Sequence, residues 1–343
     1  MARQQRRSWI GQFLYDLRYR FGEYAQRGTV AALPYIPRWF IEVFTSVMAR
    51  VTYVLMWKYR ERMQENVAMA LSTDFPDAPE RNALIWRAWR SFARAAFETV
   101  EVLHYSREKI IAMVVLEGEE HLRRALEQGK GVVALSAHLG SFTMIGARLA
   151  ASGYPFSVVV KQPSDKRFAR LIDNYRAQLG IHTISAKPRR EAVRGILKAL
   201  RENRIVLVIA DEFKSGDVIV DFFGMKVPAP RGPAALALRT GAVTLPMFAI
   251  RHPQGAVVLS VGAPLAPVKG EDVEESVFAT TALYTRCIEA AIREYPDQWN
   301  WLGLPRRDGN LSRAEMARIW RENKKARATE NRSEEKRTGT SSH

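Results

Sequence analysis

From residue 117 onward the chain alternates between two hydrophobic periods. Short β-branched runs at 132–137, 156–160, 182–185 and 205–210 have the continuous apolar character of strands buried on both faces. Segments of helical spacing lie between and around them, at 119–128, 142–151, 166–180 and 190–202. Gly129-Lys130-Gly131 forms the turn into the first of these strands, and Gly180 is a usual helix stop. Residues 218–222 read as a further strand, 232–240 as a helix ending at Gly241, and 280–295 as a closing helix. Strands at 243–250 and 256–261 are joined through Pro253-Gln254-Gly255, a hairpin turn. The alternation predicts an α/β fold with a mixed, mostly parallel central sheet covered by helices on both faces. The hairpin is what makes the sheet mixed.

The N-terminal part has a different pattern. Residues 1–28 predict a basic amphipathic helix, with Trp9, Ile10, Phe13, Leu14, Leu17 and Phe21 at helical spacing, and Pro34 and Pro37 break any helix over residues 29–37. The most apolar long stretch is 39–59, interrupted by Glu42 and Arg50 and flanked by Arg38 and Lys58. A spanning helix needs about 20 mostly apolar residues. These charges favour an interfacial or shallowly inserted helix over a true span, the plain alternative being an internal helix packed on the domain. Residues 80–103 predict a long amphipathic helix whose Trp86, Trp89, Phe92 and Phe97 read as core. From Leu311 a charged helix starts, with Ser312 and Glu315 spaced as a capping box, and from Ala328 the tail has a disordered composition. The expected organisation is therefore membrane-associating helices at 1–60, an α/β domain at 61–310, and a charged helix and tail at 311–343.

Composition narrows the partners. The 343-residue chain carries a net charge of +16, which favours nucleic acid, an anionic membrane or an anionic substrate. Its basic residues are scattered through α/β helices with no nucleic-acid-binding module, so nucleic acid is not expected. Tryptophan and tyrosine interleaved with arginine near the N-terminus suit a membrane interface. The single cysteine, Cys287, excludes an internal disulfide and reads as a small core residue. No paired Cys/His spacing suggests a metal site. The first residues are basic, but no apolar signal-peptide core comes after them.

The chemistry centres on His138, placed where the strand at 132–137 ends, followed by Gly140 for the turn and Ser141 as a helix cap. Ligands of open α/β sheets bind at the carboxyl ends of strands. His138-Leu139-Gly140-Ser141-Phe142-Thr143 resembles the histidine motif of the lysophospholipid acyltransferase superfamily. The most similar branch is the lipid A biosynthesis (lauroyl/myristoyl) acyltransferases, in which a carboxylate comes after the histidine and four further residues. Here that position holds Thr143. Thr143 can accept a hydrogen bond but cannot stabilise an imidazolium. Asp211 and Glu212, after the strand at 205–210, should project at the same sheet edge and are the replacement candidates.

Further blocks extend the resemblance over roughly residues 40–308. Phe222-Phe223-Gly224, then Arg231-Gly232-Pro233 through Thr240-Gly241-Ala242, resembles the family's Phe-Phe-Gly and Thr-Gly-Pro run. Phe222 and Phe223 are candidates to line an acyl tunnel, Gly224 makes a turn, and Gly232 opens a helix whose amides favour an anion beside Arg231. Lys161 and Arg176 are candidates for binding a substrate phosphate. Gln298-Trp299-Asn300-Trp301 with Arg306-Arg307 resembles the family's terminal block. The resemblance implies a glycerolphosphate acyltransferase-like fold at the cytoplasmic face of a bacterial inner membrane, held by anionic lipid. It implies transfer of a fatty acyl chain from acyl carrier protein or coenzyme A to a lipid or glycolipid hydroxyl. His138 would be the general base, and no metal or redox cofactor is implied. Lipid A precursor, lysophospholipid, mycobacterial-type glycolipid and amino-acid lipid acceptors all stay open. The rival reading is a non-catalytic lipid-binding protein that kept the fold and lost the dyad, for which Thr143 is the argument.

Overall fold

The computed structural model describes residues 38–305, apart from 103–104, 164–165 and 215 and the side chains of residues 38, 100, 166–168 and 171. The expected helix at 1–28, the Pro34–Pro37 break, Arg306-Arg307 and the segment at 311–343 lie outside the described residues. The chain runs through α1 (Arg38–Leu55), α2 (Trp57–Leu71), α3 (Ala78–Glu101) and α4 (Arg107–Met113) before the sheet begins. It continues through β1 (Val114–Glu117), α5 (Glu119–Glu127), β2 (Val132–Ser136), α6 (Thr143–Ala151), β3 (Phe156–Val160) and α7 (Lys166–Gln178). Next come β4 (Ile181–Ser185), α8 (Arg189–Arg201), β5 (Ile205–Ile209), β6 (Val218–Phe222), β7 (Met225–Ala229) and α9 (Gly232–Thr240). The last described elements are β8 (Val243–Arg251), β9 (Val257–Val261), α10 (Val273–Glu294) and a 3₁₀ turn at Pro296–Gln298.

The central sheet has seven strands in the order β1-β9-β8-β2-β5-β3-β4. Every neighbouring pair is parallel except β8–β9, the expected hairpin, so the sheet is mixed and mostly parallel. β2 lies at its middle with all five residues buried. Val132 and Ala134 face a core shared with Ile145 and Leu149 of α6, while Val133 faces the other way, toward Ala199 and Leu200 of α8. Strand alternation delivers successive side chains to opposite faces, so a run apolar at every position calls for helices on both.

Three features differ from the sequence reading or go beyond it. The stretch at 39–59 is not one helix: α1 ends at Leu55 and α2 leaves at 87°. No single described helix is long and apolar enough to cross a membrane, although the bent pair passes that test together. β1 is an added edge strand, where a short half-buried run next to a helix gives no alternation to read. The strand at 218–222 does not join the central sheet but pairs with β7 in a separate hairpin. Phe223 and Gly224, with φ of 49° and 70°, form its two-residue turn, the left-handed geometry that favours a right-twisted hairpin.

The closing helix also starts earlier than expected, at Val273, where the Asp272 carboxylate caps it by accepting from the Glu275 amide at 2.7 Å. At the other end of the chain α1 packs across α3. Phe44 meets Phe97 edge to face at 5.5 Å, Tyr53 meets Trp86 at 5.1 Å, and Trp89 Nε1 donates to Thr52 Oγ1 at 3.1 Å. α1 also leaves Trp39, Val43, Val47, Val51, Val54 and Leu55 exposed.

Candidate active site

The register of two central strands assembles the site. β2 and β5 pair in parallel with Ser136 opposite Ile209, and Ala210 N donates to Ser136 O at 2.9 Å. Two residues beyond that last pair stand His138 on one strand and Asp211 on the other. A parallel pair therefore carries both side chains off the same edge, with no loop to search through. The turn after His138 is held by Gly140 N donating to Gln298 O at 2.9 Å and Ser141 N donating to Ala249 O at 2.8 Å. Gly140 has φ +59°, and a Cβ there would run into the Ala249 carbonyl. This is a close approach that only glycine permits.

Asp211 is fully buried, and each of its oxygens is occupied. Oδ1 lies 2.8 Å from His138 Nδ1, and Oδ2 accepts from the His138 amide at 2.7 Å and from Trp299 Nε1 at 2.8 Å. Asp211 is turned as an acceptor toward the amide, the indole and Nδ1, an arrangement in which His138 carries its proton on Nδ1 and leaves Nε2 to take one. Burial by itself lowers the His138 pKa, but the Asp211 hydrogen bond and the charges of Asp211 and Glu212 outweigh it, and the net shift is upward. Lys214 opposes them weakly. Phe142 meets the imidazole edge to face at 5.1 Å.

The other candidates separate. Glu212 is exposed and acts on His138 through its charge. Thr143 opens α6, and its hydroxyl accepts from Thr99 Oγ1 at 3.4 Å. Ser141 does not cap α6 as expected: its hydroxyl donates to the buried Glu98 carboxylate at 2.6 Å. Lys161 is exposed just past the end of β3, at the same sheet edge. Arg176 is tied to Asp173 at 3.2 Å, and burial, against that partner, lowers its pKa. Arg231 reaches Glu274 at 2.8 Å beside Gly232, which opens α9.

Phe222 and Phe223 take their places behind the dyad. Phe222 is fully buried between Phe213, at 4.3 Å, and Trp299, at 5.8 Å, so it presents no surface to an open channel. Phe223 lies under the Arg293 guanidinium at 4.4 Å, and its amide donates to Glu289 at 2.8 Å. Sequence reasoning noted Trp299 without giving it a task. Its only signal was the Gln-Trp-x-Trp block itself. Glu98 and Arg251 were missed altogether. They pair directly, and Arg94 Nε donates to the same carboxylate oxygen at 3.1 Å. Among the described residues no group of three or more His, Cys, Asp or Glu is arranged to hold a metal ion.

Residues 12–305 match the family model for bacterial lipid A biosynthesis acyltransferases. The chain belongs to that family. It is an acyltransferase, as its relatives are. It is 26% identical over 301 residues to a phosphatidylinositol mannoside acyltransferase of Mycolicibacterium smegmatis, covering 85% of this chain and 96% of that protein. The enzyme of the same name from Mycobacterium tuberculosis is 30% identical over 54% of this chain and 60% of its own length. A lipid A biosynthesis palmitoleoyltransferase of Escherichia coli is 23% identical over 79% of this chain and 85% of its own.

Proposed function

We propose that this acyltransferase moves a fatty acyl chain from a thioester of acyl carrier protein or coenzyme A to a hydroxyl of a membrane glycolipid, with His138 as general base. The carrying observation is the His138–Asp211 pair at the carboxyl edge of β2 and β5, with Nδ1 tied and Nε2 available. Nε2 takes the acceptor hydroxyl's proton as its oxygen forms a bond to the thioester carbonyl carbon. The tetrahedral intermediate then collapses, the carbon–sulfur bond breaks, and the imidazolium returns its proton to the thiolate. Asp211 keeps the tautomer and stabilises the imidazolium formed between these steps, and Trp299 fixes Asp211.

The names of the relatives favour a phosphoinositol-mannoside type of acceptor over a lipid A precursor, because the mycobacterial match spans more of both chains. The site is read as facing a bilayer. The exposed apolar side chains of α1 and the net charge of +16 support peripheral attachment to an anionic inner-membrane surface, where each well-placed cation contributes about 1 kcal/mol.

The test is thioester consumption by the purified protein, wild type against His138→Ala, with acyl carrier protein and coenzyme A donors and membrane lipid as acceptor. Turnover that falls roughly 10²–10⁴-fold in the variant supports the reading. Turnover equal in both overturns His138 as the base.

A further inference from the structure

A cavity of about 720 Å³ lies at the Ser141 end of the His138–Ser141 turn, walled by α1, α3 and the carboxyl end of β8. α3 contributes Arg87, Arg90 and Arg94, and β8 contributes Arg251. The three α3 arginines are spaced three and four residues apart, so they share one helix face. Like charges at that spacing work against a helix, so helix stability does not account for them. Glu42 and Asp297 share the lining, and Asp297 stands 3.6 Å from Arg87.

The cluster is built from behind. Glu98 and Glu101, both buried, sit at the back of the wall and hold the deeper guanidiniums. Glu98 pairs with Arg251 and Arg94, and Glu101 Oε2 lies 3.8 Å from Arg94. This fixes Arg94 with Nε and Nη2 turned to carboxylates. Its Nη1 is buried and has no hydrogen-bond partner among the described residues. A buried guanidinium nitrogen without an acceptor, on a cavity wall with two further arginines, is a place for an anion with several acceptor oxygens. Arginine forks match phosphate oxygens in pairs.

We propose that Arg87, Arg90 and Arg94 form a phosphate-ester subsite that holds the phosphate of a substrate while the His138 edge acts on its hydroxyl or thioester. This rests on the acyl-transfer reading for the identity of the substrates. Two sources carry such a phosphate, the acceptor headgroup and the donor's phosphopantetheine or nucleotide part. The lipid headgroup is the better fit. The helix that lines the cavity with Glu42, Thr45 and Ser46 exposes Val43, Val47 and Val51 on another face, so the arginines stand beside the surface read as membrane-facing.

The test is calorimetric titration of the full chain with glycerophosphoinositol, coenzyme A and, as the phosphate-free control, inositol. Wild type is compared with Arg87→Ala/Arg90→Ala and with Arg90→Glu. Both positions are exposed, so these variants should fold, and a thermal melt checks it. Glycerophosphoinositol is expected to bind, to be displaced by inorganic phosphate, and to lose at least tenfold in affinity in either variant. The same loss confined to coenzyme A would keep the phosphate subsite and assign it to the donor. Affinities for both ligands unchanged in both variants, or no binding that phosphate displaces, would overturn it. His138→Ala should leave these affinities as they are, which separates the two ideas. Arginine-dependent phosphate binding without turnover would sink only the acyl-transfer reading. Turnover lost in His138→Ala, with phosphate affinity indifferent to the arginines, would sink only the subsite.

Discussion

The two sides of the His138–Ser141 turn hold buried carboxylates for different ends. On one side a single carboxylate, Asp211, is shared by one imidazole, one amide and one indole, and the arrangement leaves one nitrogen, Nε2, to react. On the other, Glu98 and Glu101 hold Arg94 and Arg251 in a network of balanced charges. The first arrangement controls where a proton sits. The second controls where cations sit, and it joins α3 to β8. Removing a carboxylate should therefore cost rate on the first side and stability on the second.

The largest stability effect is expected from Glu98→Ala. Removing one partner of a buried pair leaves uncompensated charge and costs about 3–5 kcal/mol, here with Glu101 left as the one acidic partner of Arg94 in the network. Urea unfolding would read it. A loss below about 1 kcal/mol would mean that the network is not holding the two elements, and the contrast between the two sides would fail.

Asp211→Asn should keep the shape, lower turnover at least tenfold, and move the pH profile. The folded protein favours the imidazolium, so the neutral base accumulates as pH rises through a value above the ordinary histidine 6.5. Without the Asp211 charge that rising limb of kcat/KM should shift to lower pH. The same sign holds for stability. The contribution of the His138–Asp211 pair is fully present below the unfolded histidine pKa and is lost as pH rises through the folded one. An unmoved limb would remove Asp211 from the base's environment. A smaller effect belongs to Trp299→Phe, which leaves one lone pair of a buried carboxylate without its donor. About 1–3 kcal/mol of stability and a few-fold in kcat are expected, with little change in KM.

How much of this could be read beforehand depends on whether a partner was local. β2 and β5 were legible because residues buried on both faces form continuous β-branched runs. Their parallel register then carried His138 and Asp211 to one edge, although sequence left Asp211 and Glu212 equal. Burial separates them: Asp211 turns inward to Trp299, and Glu212 outward to solvent. Trp299 lies 88 positions from Asp211, and Arg251 lies 153 from Glu98, so no spacing rule connects either pair. Glu98 was hidden for a second reason. A glutamate on an amphipathic helix reads as its wet face, but here Glu98 is buried against Ser141 and against Arg251 at the end of β8. The break after Leu55 carries no proline or glycine to announce it.

The smallest expected effect is the sharpest check on the motif itself. Thr143 stands where the resemblance expects the histidine's carboxylate, so motif logic alone would make it part of the dyad. In the structure its hydroxyl answers Thr99, at a long 3.4 Å, while His138 Nδ1 is already occupied by Asp211. Replacing a weak, partly buried hydroxyl pair should cost no more than about 1 kcal/mol. Because the imidazole loses no partner, Thr143→Ala should change kcat/KM by less than threefold and leave the pH limb where it was. A tenfold loss with a shifted limb would mean that the threonine reaches the histidine during turnover, and that the base is shared between the old position and the new one.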